Sequence, residues 1–198
     1  MRRIVPLVFA LAAASVLALP AHAGVGAHVA IDDFFFSPEV RSVLVTDDLP
    51  VYWDNGGSFG HTATSNGGAD FIDTGTIASG ETGIAYLYGA GTFAYHCSIH
   101  ANMDGTIKVR PKANPRAFAQ GGSSTITYGS PFTKGIQWDV QRRRNGNAWT
   151  TIRSGTLTAS LTFSPSRPGT YDFRARTHDL SGHVSGWSPL RTVEVSAA

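Results

Sequence analysis

The chain has 198 residues, 42% hydrophobic and only 15% charged, with a formal net charge of +2. Charge this sparse, against a soluble-protein norm of about 25%, together with 22 Gly and many Thr, Ser and Val, favours strands over helices. Eleven Phe, six Tyr and four Trp exclude a disordered chain, and a single Cys excludes an intrachain disulfide framework.

At the amino terminus, Arg2 and Arg3 precede an apolar run from Ile4 to Leu19 that only Pro6 and Ser15 interrupt. Ala21-His22-Ala23 then supplies the small-residue pattern that a signal peptidase accepts. These features predict a signal peptide over residues 1–23. The alternative is a retained membrane anchor, but the run is short for a span and Pro20 with the Ala-x-Ala pattern favours removal. No second apolar run follows, so the mature chain has no predicted membrane span. The expected location is secreted, periplasmic or in the cell envelope.

Residues 24–111 read as one all-β domain. Ala27–Ile31, Val40–Val45 and Val51–Trp53 are predicted strands, and Asn55–Gly60 is a glycine-rich loop. Thr92–Cys97 alternates, with Phe93, Tyr95 and Cys97 on one face, and Thr106–Val109 closes the domain. Between these last two strands stands Cys97-Ser98-Ile99-His100-Ala101-Asn102-Met103, a C-x-x-H-x-x-M loop followed by Gly105. Thiolate and thioether are soft ligands and imidazole suits copper. His61, in Gly60-His61-Thr62-Ala63-Thr64-Ser65, supplies a second nitrogen. Two His and a Cys with a weak axial Met form a blue-copper donor set. A Cys and two His also hold zinc when a fourth ligand is present, but Met is a poor one, which favours copper.

On these residues the first half resembles a cupredoxin, the blue copper fold of plastocyanin, amicyanin and pseudoazurin. The likeness runs through Phe34-Phe35-Phe36-Ser37-Pro38, Trp53-Asp54-Asn55, His61–Ser65 and Gly91–Cys97 to Val109, with the short amicyanin-like ligand spacing. The resemblance implies a Greek-key barrel and one copper held by His61, Cys97, His100 and Met103. It also implies that the His100 edge reaches solvent, where a redox partner docks. Asp47-Asp48-Leu49-Pro50 stands where the family has a glycine turn. His61 is expected to be buried and steadied by Thr62 or by backbone near Trp53-Asp54-Asn55. Phe59, Ala63, Ile99 and Ala101 are candidates for an apolar rim, with ordinary loop packing as the alternative. Strand alternation turns His96 away from Cys97. Only His28, His178 and His183 remain beyond the leader, with no H-x-H pair, so His96 is expected on the surface and not on a second, catalytic copper.

Residues 24–111 carry ten acids against three bases, a net charge of −7, whereas residues 112–198 carry eleven bases against four acids, a net charge of +7. The change falls in a segment with Pro111 and Pro115 and no apolar period, so residues 112–119 read as a linker. Residues 120–198 read as a second β-sandwich, with strands over Ser123–Tyr128, Gly135–Arg144, Ala148–Ile152, Leu157–Phe163, Pro168–Arg176 and Arg191–Val195. Asn145-Gly146 is a two-residue hairpin turn. Pro168-Gly169-Thr170-Tyr171 and Gly186-Trp187-Ser188-Pro189 resemble segments of fibronectin type III domains, the first of them a tyrosine corner. Arg142-Arg143-Arg144 reads as a solvated hairpin face, since alternate side chains oppose. The functional alternatives are contact with an anionic cell-envelope polymer or docking on the acidic first half. Nucleic acid is not an expected partner, because no reading motif is present.

The reading is a copper protein that carries single electrons and has no catalytic turnover, since four protein ligands leave no open position. Its second half would attach it or bind a partner. Copper storage, delivery or resistance is the alternative, and adhesion with a structural metal is a third.

Overall fold

The structure is a computed structural model that describes residues 26–45, 49–130 and 135–198. The leader expected over residues 1–23 and the Asp47-Asp48 departure lie outside the described residues. The described chain is all-β, with a single short 3-10 turn at Asn66–Gly68. No helix among the described residues is long and apolar enough to cross a membrane.

The first half contributes β1 (Ala27–Asp32), β2 (Phe35–Ser37), β3 (Val40–Leu44), β4 (Pro50–Asn55), β5 (Thr64–Ser65), β6 (Thr82–Tyr86), β7 (Gly91–His96) and β8 (Asp104–Arg110). They form two four-stranded sheets, ordered β2-β1-β4-β6 and β3-β8-β7-β5. Two pairings are parallel, β1 with β4 and β3 with β8. Inward residues of both sheets meet in one core that includes Trp53, Phe93, Tyr95, Ile107 and Val109. Phe93, Tyr95 and Cys97 do share the buried face, at 2%, 0% and 3% exposure.

The second half contributes β9 (Lys112–Asn114), β10 (Ala117–Ala119), β11 (Ser124–Thr127), β12 (Gln137–Arg144), β13 (Thr150–Thr156), β14 (Ser160–Phe163), β15 (Gly169–His178) and β16 (Arg191–Ser196). A three-stranded sheet, β14-β11-β9, faces a five-stranded sheet, β10-β16-β15-β12-β13. Trp138, Tyr171, Phe173, Ala175 and Val193 lie in the core of this sandwich. Asn145 and Gly146 both take positive φ, 49° and 74°, as the hairpin turn requires. The Tyr171 hydroxyl donates to the Arg167 carbonyl at 2.8 Å, which makes the expected tyrosine corner a physical contact.

Two expectations are corrected. Residues 112–119 are not a free linker. Lys112–Asn114 pairs with β11 and Ala117–Ala119 pairs in parallel with β16, so the segment supplies an edge strand to each sheet. The prolines at 111 and 115 flank these strands, where a missing N–H costs no ladder bond. Nor is Arg142–Arg144 a fully solvated face: all three side chains are half-buried by partners. Arg142 stacks over Phe163 and Tyr171, Arg143 pairs with Asp172, and Arg144 donates to the Pro168 carbonyl.

The two sandwiches are joined through backbone. Thr92 bridges to Gly186 and Gly89 bridges to Gly129. Thr92 Oγ1 donates to the Trp187 carbonyl, Thr177 Oγ1 to the Ala90 carbonyl, and the Asp70 amide to Asp179 Oδ2. Ala90 is fully buried and belongs to the second core. Among the described residues no ion pair crosses the junction, so the opposite charges of the halves do not fasten it.

Candidate metal centre

Cys97 directly follows His96, the last residue of β7, and the loop 98–103 returns the chain to β8. The Cys97 amide donates to the Met103 carbonyl at 2.9 Å, closing that loop. Asn102 takes a left-handed φ of 61°, which Asn tolerates, and this turns Met103 into the core, where it is 1% exposed. Gly105 follows for a steric reason: a Cβ there would collide with the Tyr95 ring on the paired strand. His61 arrives from a different part of the chain. It forms a bridge with Ile77, exchanging both backbone hydrogen bonds. Asn55 braces that segment by donating to the carbonyls of Phe59 and Ile77.

The result is a triangle of donor atoms. His61 Nδ1 and His100 Nδ1 are 3.1 Å apart, and Cys97 Sγ lies 3.8 Å from the first and 3.7 Å from the second. The point in their plane equidistant from all three is about 2.1 Å from each, within the usual nitrogen and thiolate bond lengths of about 2.0–2.3 Å. These three residues are the one such group among the described residues. Two imidazole nitrogens and a cysteine sulfur grouped this closely fit a type 1 copper ion. Met103 is buried in the same core as Cys97.

The electrostatics suit a bound cation. His61 is fully buried, and burial first, then the neighbouring His100 imidazole, lower its pKa below the ordinary histidine value, while Asp33 pulls the other way. The ring is therefore neutral and has a lone pair to give. The Thr62 amide donates to Cys97 Sγ at 3.4 Å. Thr62 Oγ1 also accepts from the Ser98 amide at 2.8 Å, so it ties the two ligand-bearing segments together.

Thr62 thus supports the sulfur and the loop, and it makes no bond to the His61 ring. His61 Nε2 is buried without a hydrogen-bond partner, which departs from the expected carbonyl support. Ala63 is fully buried and does not belong to an exposed rim. Phe59 and Ile99, each 51% exposed, do. Ala101 is exposed as well, and sequence reasoning missed a further member, Phe34, which is 56% exposed and packs edge-on to His100 with ring centroids 5.1 Å apart. Phe59 also packs against His100, and Phe34 against Phe59. Alternation alone would put Phe34 on the face of buried Phe36; it stands outside because it precedes β2 at a left-handed φ of 72°, which no local pattern in the Phe34-Phe35-Phe36 run marks. His96 points away from the triangle and bonds Asn66 at 2.7 Å.

No protein-family model and no curated protein matches the chain. Solved structures that resemble part of it include a novel purple cupredoxin from Nitrosopumilus maritimus, at 21% identity and a TM-score of 0.39 over 42% of this chain and 98% of that one. The reduced Cu(I) form of an amicyanin mutant matches at 23% identity and a TM-score of 0.39, over 44% of this chain and 84% of that one. A second amicyanin mutant, also reduced, matches at 22% identity and a TM-score of 0.38, over 45% of this chain and 87% of that one.

Proposed function

We propose that this chain is an exported type 1 copper protein that passes single electrons, and that His61, Cys97, His100 and Met103 would hold the metal. The observation that carries the reading is the donor triangle, assembled from two distant segments with atoms at bonding distance from a common point. Copper held there supplies a reversible one-electron couple. The chain's own part is to hold the ligands still. His61 and Asn55 are locked by backbone bonds, Thr62 fixes the loop to the sulfur, and core packing surrounds Cys97 and Met103. A site that rearranges little exchanges electrons quickly. Of the four ligands His100 alone reaches the surface, within the Phe34, Phe59 and Ile99 rim, which makes that rim the route for electrons and the contact for a redox partner.

The second half is read as a fibronectin type III-like attachment module. Support comes from its three-on-five sandwich and from the tyrosine corner. Copper storage or delivery is the competing function for the same ligands. It predicts ready surrender of copper to a chelator, against slow surrender and fast reversible reduction for a carrier.

The direct test is copper(II) titration followed by visible and electron spin resonance spectra. The expected outcome is one copper per chain and an intense thiolate-to-copper band. Cys97→Ala loses that band. A colourless protein, or a band that survives in Cys97→Ala, refutes the assignment.

A further inference from the structure

The outer face of the five-stranded sheet carries a ladder that plays no part in the metal site. Arg143 lies over Trp149 (4.7 Å), Arg174 over the same ring (4.2 Å) and over Trp187 (4.7 Å), and Arg176 over Trp187 (4.7 Å). Three guanidinium groups thus alternate with two indoles. The strand pattern explains the row: Asp172, Arg174 and Arg176 alternate on β15, opposite Arg143, Gln141 and Asp139 on β12. Each guanidinium is anchored through its Nε, Arg143 to Asp172, Arg174 to Gln141 and Arg176 to Asp139, all within 2.9 Å. Arg143 and Arg176 still expose 27% and 36% of their side chains. Arg174 is anchored by a neutral amide, so its charge has no carboxylate beside it in the ladder.

The carboxylates of this half are mostly withdrawn from solvent. Asp139, Asp172 and Asp179 are buried. Glu194 alone is exposed, and it accepts a bond from Thr170. On this face the carboxylates of Asp172 and Asp139 are thus hydrogen-bonded to Arg143 and Arg176 and withdrawn from solvent, so they do not stand in water around the ladder. A planar guanidinium held in place loses little entropy on binding an anion, and its free edge matches the oxygens of sulfate, phosphate or carboxylate. We propose that this ladder is a binding surface for an anionic polysaccharide, whose successive charged groups engage the edges of Arg143, Arg174 and Arg176. The rings of Trp149 and Trp187 are each covered by two of the arginines. Nucleobases, which bind single-strand sites by stacking on such rings, have no platform here. The inference is independent of the copper reading, because no ladder residue belongs to the metal site.

The test uses the full chain, titrated with a size-defined heparin oligosaccharide, with neutral dextran and with duplex DNA of matched charge. Heparin binds, its affinity falls linearly with the logarithm of salt, and dextran does not bind. The double variant R143Q/R174Q weakens heparin binding by about tenfold and lowers the salt slope by about one per charge removed. Arg174→Lys keeps the charge but not the stacked fork, and it too weakens binding. The off-ladder pair R153Q/R167Q changes affinity by less than about twofold. In the unmodified protein, the indole N–H resonances of Trp149 and Trp187 shift on titration while those of buried Trp53 and Trp138 stay, which keeps the test valid if a ladder variant misfolds. Equal losses in the off-ladder pair, unchanged binding in Arg174→Lys, DNA binding as tight as heparin binding, or unmoved Trp149 and Trp187 signals would each overturn the proposal.

Discussion

Phe34 holds a left-handed φ of 72° with a large side chain, a conformation that costs about 1–3 kcal/mol. Its neighbour Asp33 explains how the strain is maintained: Asp33 Oδ1 accepts from the Ser58 amide at 2.7 Å, so the β1–β2 turn is stapled to the loop that carries Phe59. The ring thereby packs edge-on to His100 and covers part of that ligand. Phe34→Ala is expected to retain copper and the visible band but to release the metal to an external chelator several-fold faster, as followed by decay of absorbance. Asp139 makes a different residue-scale case. Desolvation raises its pKa, but the Gly155 amide, His178 and Arg176 outweigh that and hold it at about 2 against an ordinary 3.8. Since the folded value is the lower one, ionised Asp139 stabilises the fold fully above pH 3.8, and this contribution is lost as pH falls toward 2. It amounts to about 2 kcal/mol, and Asp139→Asn should lack this part of the acid limb in urea unfolding measured against pH.

At the scale of elements, β7 has two jobs. Its carboxyl end delivers Cys97 to the metal centre, and at its amino end Thr92 exchanges hydrogen bonds with Gly186 of the second sandwich. The approach of the halves depends on missing side chains, because a Cβ at either Gly89 or Gly129 would collide with the Trp138 indole. Trp138 is itself 1% exposed and cannot swing out without opening the second core. Gly129→Ala is therefore expected to destabilise the chain by about 1–3 kcal/mol, read as a lowered urea midpoint, while the visible spectrum of the copper form stays unchanged. A shifted spectrum would mean that strain at the junction reaches the ligands.

For the whole molecule, the junction predicts coupling. Ala90 of the first half is a member of the second core, and β9 and β10 continue directly from β8. The two sandwiches should unfold together, in one calorimetric transition. Copper, bound only in the first, should raise the melting temperature of the whole, since a ligand at about 1,000 times its Kd stabilises the folded state by about 4 kcal/mol. Two transitions, with only the lower or only the upper moving on metal addition, would show the halves to be thermodynamically separate.

The local features of this protein were legible in its residues because they depend on short-range periodicity. Alternation in Thr92–Cys97 placed Cys97 on the inner face, Asn145-Gly146 placed a hairpin, and the spacing of Cys97, His100 and Met103 marked a metal-binding loop. Three features depended on contacts between distant segments and were decided only when the sheets closed. Residues 112–119 have no apolar period, yet they became edge strands because β11 and β16 offered unpaired ladders. Phe34 reached His100 because a side chain–backbone staple oriented its turn. The arginines of β12 and β15, 29 to 37 residues apart from their carboxylate partners, found those partners and the indoles across the sheet. A sequence records which groups a strand presents to each face, whereas register and sheet order determine which groups across the sheet they meet.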